Sequence, residues 1–159
     1  MKKPLLIALA AVTIVIVNFW WLKKPSKTVE DRTLVLAGKT LQVEIAQTES
    51  EREQGLSDRP SLCESCGMLF IFDSPGFQSF WMRRMHFDID MIWINGNKIV
   101  DITPSAKKPE ASEFDSPKII YTSKVPADKI LEVNAGWTEK NGVKVGDEIA
   151  LTSYRNKAK

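Results

Sequence analysis

Leu5 to Leu22 is an 18-residue run in which only Thr13 and Asn18 are polar. At a rise of 1.5 Å per residue it spans roughly 27 Å as a helix, close to the hydrocarbon thickness of a bilayer. Lys2 and Lys3 precede it, and Lys23, Lys24 and Lys27 follow. Trp20 and Trp21 stand at its far end, where amphipathic rings favour the membrane interface. A cleaved signal peptide would need small residues just past the apolar core. Here the core ends Phe19-Trp-Trp-Leu-Lys-Lys-Pro25, bulky and then charged. No cysteine follows directly, which excludes a lipoprotein anchor. The expectation is an uncleaved signal anchor over residues 1–24, with its helix at about 5–22. A tether at 25–31, a soluble domain at 32–153 and a tail at 154–159 follow. The membrane is the partner of the N-terminal helix.

The anchor changes how the charge is read. The first 28 residues hold five lysines and no acidic group. The rest carries 17 Lys and Arg against 20 Asp and Glu, a balance of −3. The overall +2 therefore reports on membrane flanks and not on a nucleic-acid surface. No basic stripe interleaves with aromatics, so no nucleic-acid partner is expected.

Within the domain, Thr33–Ala37 and Thr40–Ala46 flank Gly38-Lys39 as a hairpin, with Leu41, Val43 and Ile45 on one face. Thr48-Glu-Ser-Glu51 matches a capping box for a short helix that stops at Gly55. Met68–Phe72 and Phe77–Met82 read as strands around an Asp73-Ser-Pro-Gly76 turn. Met91–Ile94 and Lys98–Ile102 flank Asn95-Gly-Asn97, a strong hairpin signal. Residues 103–117 hold three prolines and read as a long polar surface loop. Lys118–Lys124, Ile130–Val133 and Asp147–Thr152 complete the strands, and Ala135–Asn141 is a second short helix. There is no internal repeat and no βαβ alternation. The fold class is mainly β: a small antiparallel β-barrel or sandwich-like domain with two short helices, preceded by one N-terminal transmembrane helix.

Several segments together form a recognisable pattern. Glu51-Arg-Glu-Gln-Gly-Leu56 is followed by Gly67-Met-Leu-Phe-Ile-Phe72, Phe80-Trp-Met-Arg83 and Phe87-Asp-Ile-Asp-Met-Ile-Trp-Ile94. Ile130-Leu-Glu-Val-Asn-Ala-Gly136, Glu139-Lys-Asn-Gly142 and Val145-Gly-Asp147 close it. In order and spacing these resemble the domain-of-unknown-function-192 family over about residues 34–151. The resemblance implies a small β-rich, barrel-like domain, often behind an export signal. It implies no catalytic residue, because no biochemical function is established for the family. Three departures stand out. Family members often carry proline where Asp88 stands, and Asn or Asp near Arg84. Many have a Pro-Glu-rich stretch in place of the Cys-Glu-Ser-Cys loop.

Four constellations could carry chemistry. Cys63 and Cys66, the only cysteines, could form a disulfide, a thiol–disulfide exchange site or half of a metal site. A disulfide would place the domain outside the cytoplasm, as the family's export habit also suggests. His86, Asp88 and Asp90 would share one face of an extended strand and could bind a divalent ion or exchange a proton. In a plainer reading Asp90 accepts backbone N–H bonds while His86 and Asp88 are solvated. Met82, Met85 and Met91 beside His86, with Met68, offer soft-metal ligands suited to Cu(I), though methionine also fills cores. Trp81 with Arg83 and Arg84 pairs an aromatic plate with guanidinium donors. No phosphate loop or nucleophile elbow is present, and no cofactor is implied.

The leading expectation is a membrane-anchored, extracytoplasmic binding or accessory module at the cell envelope. Its candidate surface comprises Met68, Trp81, Met82, Arg83 and Asp90 beneath the 103–117 loop. The alternatives are a metal-assisted or acid–base enzyme using Asp90 with His86 or Asp88, and a copper carrier using His86, Met82 and Met85.

Overall fold

Tight turns and strand alternation build the domain. A computed structural model describes residues 31–152. The anchor, the tether up to residue 30 and the tail lie outside the described residues. Among the described residues no helix is long and apolar enough to cross a membrane. Strands β1 (Asp31–Leu36) and β2 (Lys39–Ala46) form the first hairpin. Its two-residue loop is Ala37-Gly38, one position earlier than the composition suggests, with φ of 49° and 71°. Both central residues of such a turn need positive φ, and glycine meets that requirement without strain. Helix α1 (Glu49–Gln54) opens with the expected box: Thr48 Oγ1 accepts from Glu51 N, and the Glu51 carboxylate accepts from Thr48 N at 2.9 Å.

Next come β3 (Cys66–Gly76), β4 (Ser79–Trp81), β5 (Ile89–Asn95) and β6 (Lys98–Ala106). A 3₁₀ turn at Ala111–Glu113, β7 (Ile120–Thr122), β8 (Ala127–Asn134), helix α2 (Trp137–Lys140) and β9 (Ile149–Thr152) complete the chain. Seven strands form one sheet in the order β6-β5-β8-β3-β2-β1-β9, while β4 and β7 pair separately. The sheet curls into a half-barrel. Its ends meet where Lys98 bridges Glu148, with Ile99 N donating to Asp147 O and Gly146 N to Ile99 O.

Two expectations need correction. The sheet is not purely antiparallel, because β2 and β3 pair in parallel through the α1 crossover. This βαβ unit is hidden by its short helix and long loop, which lack a parallel sheet's usual periodicity. The 103–117 loop is also shorter than expected. Strand β6 continues to Ala106, and Pro104 is tolerated because β6 is an edge strand with a bulge there.

Both faces of the sheet are packed. Leu34, Leu69, Ile92, Leu131 and Val133 lie in a cluster drawn from both ends of the sheet, which places it inside the curl. Met68, Phe70, Met91, Trp93 and Ile130 form a second cluster on the outer face. Strand β5 accordingly alternates between clusters, and six of its seven residues are buried. Gly67 lets β3 lie close to β8: a Cβ there would sit 2.9 Å from the Glu132 carbonyl oxygen.

Cys63 and Cys66, three positions apart in sequence, are joined by a disulfide with Cα atoms 5.0 Å apart. So short a loop removes little entropy from the unfolded chain. Replacing both with serine should cost at most about 2 kcal/mol and leave a cooperative urea transition. A larger loss would mean that the bridge shapes the Leu56–Ser65 segment rather than clipping it.

Candidate functional site

A row of side chains crosses the outer face in register. Glu44 on β2 lies opposite Met68 on β3, Met68 opposite Glu132 on β8, and Glu132 opposite Met91 on β5. Glu132 is 5% exposed and sits between two buried methionines. Its carboxyl oxygens have no hydrogen-bond partner among the described residues. No described side-chain oxygen that is sealed from solvent lacks a partner, so this carboxyl reaches the cleft beside it. Burial pushes its pKa up to about 8, against a partial pull downward from Arg59. It is therefore a neutral acid near pH 7. Arg59 is itself held by a two-pronged pair with Glu44.

The cleft has a volume of about 290 Å³ and lies between α1, β3 and β4. Phe70, Phe72, Phe80 and Trp81 supply aromatic walls. Phe80 meets Phe70 edge-on at 4.9 Å, Trp93 at 5.7 Å and Phe72 at 6.3 Å. These contacts fix the ring, and Trp81 beside it stays 50% exposed. Arg52 lies over Phe72, 4.9 Å from the ring centre, and donates to the Gln47 and Ile71 carbonyls. Arg83 also lines the cleft, and its guanidinium has no partner among the described residues.

The model of the DUF192 family, described as an uncharacterized ACR, matches residues 32–151. The chain belongs to the DUF192 family. A crystal structure from Sinorhizobium meliloti 1021, of a protein named as a candidate transcription regulator, is 30% identical, with a TM-score of 0.69. The match covers 78% of this chain and 95% of that one. A protein of unknown function from Novosphingobium aromaticivorans DSM 12444 is 24% identical at a TM-score of 0.70, covering 79% and 89%, and shares the fold. No functionally curated protein matches.

In this DUF192 domain the residues singled out from the sequence separate into several places. Trp81 and Arg83 share the cleft. Met68 and Met82 are 5% and 2% exposed and belong to the core, so neither presents a binding surface. Residues 107–110 of the proline-rich loop cover a smaller recess of about 140 Å³ above Met82, and the loop does not line the aromatic cleft. Asp90 lies inside the curl, 0% exposed. It accepts from Ser105 N at 2.9 Å, Gly136 N at 3.0 Å, Thr138 N at 2.9 Å and Thr138 Oγ1 at 2.6 Å. Ser105 occupies the β6 bulge at φ 51°. Asp90 thus ties the bulge and the start of α2 to the sheet.

The expected shared face of His86, Asp88 and Asp90 does not form, because β5 begins only at Ile89. His86 is exposed and packs against Phe114 at 5.1 Å. Asp88 accepts from Lys107 Nζ at 2.8 Å and Lys108 N at 2.9 Å. Partial burial raises its pKa, but those two donors outweigh it and hold the carboxyl below its ordinary value. Met85 and Met91 are buried like Met82. Among the described residues no group of three or more His, Cys, Asp or Glu is placed to hold a metal ion. Arg84 is not in the cleft lining and bonds Asp58 at 2.8 Å and Asp115 at 3.3 Å.

Sequence reasoning missed Glu132. The signal was available: a carboxylate inside the apolar run Ile130-Leu-Glu-Val133, in a strand apolar on both faces.

Proposed function

We propose that the domain is a non-catalytic binding module held at the outer face of a membrane by its N-terminal helix, with the aromatic cleft as its ligand site. The observation that carries this reading is the unpartnered carboxyl of Glu132 at a cleft walled by aromatics. Buried polar groups are normally satisfied, and an orphan at a cleft is what a ligand completes. The acid–base alternative gains little support. It needs a second titratable group beside the reacting centre, and His86, Asp88 and Asp90 all lie outside the cleft lining. The extracytoplasmic placement rests on the apolar run at 5–22 and on the Cys63–Cys66 disulfide, which suits an oxidising compartment. A regulator's role on nucleic acid is disfavoured by the domain's acidic balance.

Two measurements test the reading. In intact cells stripped of any outer barrier, added protease should cut the domain while the anchor stays in the membrane fraction. Protection until lysis would overturn the placement. Native mass spectrometry of the full chain should show a retained small molecule that Trp81→Ala loses; release of a chemically changed product would overturn the non-catalytic assignment.

A further inference from the structure

The polar groups lining the cleft are unevenly matched. Arg83 has no partner among the described residues, and Arg52 donates through one nitrogen to backbone carbonyls, leaving the rest of its fork unused. The buried Glu132 carboxyl has no hydrogen-bond partner among the described residues. The acidic groups in the lining besides Glu132 are Glu49 and Glu53, both solvent-exposed on α1. Two guanidiniums with unused donors, Arg52 and the exposed Arg83, therefore line the cleft next to its aromatic walls, and its other acceptors are the neutral side chains of Gln54, Ser57, Gln78 and Ser79.

We propose that the occupant is a small organic acid: an apolar or aromatic body against Phe72, Phe80 and Trp81, its carboxylate received by Arg83 and Arg52 and by the Glu132 carboxyl as a hydrogen-bond donor. This rests on the cleft being a binding site and names its ligand class. Arginine's planar fork matches a carboxylate, and such charge-assisted bonds are about twice as strong as neutral ones. The volume of about 290 Å³ suits one ring with a short arm. A neutral carboxylic acid accepts such a neighbour because it contributes a proton, whereas its carboxylate would repel it. The charged groups around Glu132 are Arg59 with its partner Glu44 from behind, and Arg52, Glu49, Glu53 and Arg83 from the cleft.

Equilibrium dialysis of the full-length protein against phenylacetate and indole-3-acetate, each beside its primary amide, tests the proposal. At pH 6.5 the acids should bind at least roughly tenfold more tightly than the amides, and Arg83→Gln should remove that margin. Raising the pH to 9.5 should weaken acid binding roughly 30-fold in the wild type and not in Glu132→Gln, which stays neutral. Equal binding of acid and amide, lost together in Trp81→Ala, would overturn the ligand class and leave the cleft reading standing. Binding untouched by Trp81→Ala, or no binding at millimolar concentration, would overturn the proposal. The retained molecule expected above would then decide whether the cleft reading survives.

Discussion

Asp90→Ala should be among the most damaging single substitutions in the domain. Three backbone N–H groups and one hydroxyl converge on this carboxylate, from two separated parts of the chain. Removing it leaves those donors unpaired away from water, each at about 1–3 kcal/mol. Even at the low end the summed loss is about 4 kcal/mol, comparable with the whole stability of a marginal domain. Urea unfolding should show a collapse of the midpoint, or no folded protein at all. Asp90→Asn keeps one acceptor oxygen and should fall between. The role assigned to Asp90 is structural: in any variant that still folds, cleft binding should be intact. A folded Asp90→Ala protein of near wild-type stability would overturn this account.

Glu132→Met should instead stabilise the protein, and only above a threshold pH. The carboxyl ordinarily titrates at 4.5 and in the folded domain at about 8. Below pH 4.5 both states hold the proton and the group is neutral to stability. Between pH 4.5 and 8 the unfolded chain ionises while the folded one does not, so stability declines as pH rises. Above 8 the loss is complete, at about 5 kcal/mol. Methionine fills similar space between Met68 and Met91 and carries no charge to bury. Urea titrations at pH 5, 7 and 9 should find the variant's advantage smallest at pH 5 and largest at pH 9. Glu44 and Asp88 do not confuse the window. Their carboxyls are held below their ordinary values, so the stability they contribute is lost only under acid conditions. A wild-type profile that is flat from pH 5 to 9 would rule out a neutral buried acid.

Local signals proved readable where their physics is local. Thr48 and Glu51 cap α1 because both partners lie within one turn. The Asn95-Gly96 hairpin forms because glycine takes φ 64° without cost. The importance of Asp90 was visible, but its donors lie 15, 46 and 48 positions away and no spacing rule finds them. The supposed His86–Asp88–Asp90 face failed for a related reason. Extended geometry starts at Ile89 because the preceding segment is bent through Arg84 at φ 55°, pinned by the Phe114 carbonyl from a distant loop. The cleft was half legible. Trp81 and Arg83 announced themselves as an aromatic plate and a cation. Glu132 hid in an apolar run, because only the sheet order shows that both its neighbours are buried methionines.

The placement of β1 bears on how the protein is made. The first strand lies between β2 and β9, so the first and last strands of the domain are hydrogen-bonded neighbours. The sheet cannot be completed until the ribosome has delivered residues near 149–152. Closing so large a loop makes folding slow compared with local pairing. On the outer placement proposed above, such a delay would leave the chain extended for passage through the membrane until its final strand has been made.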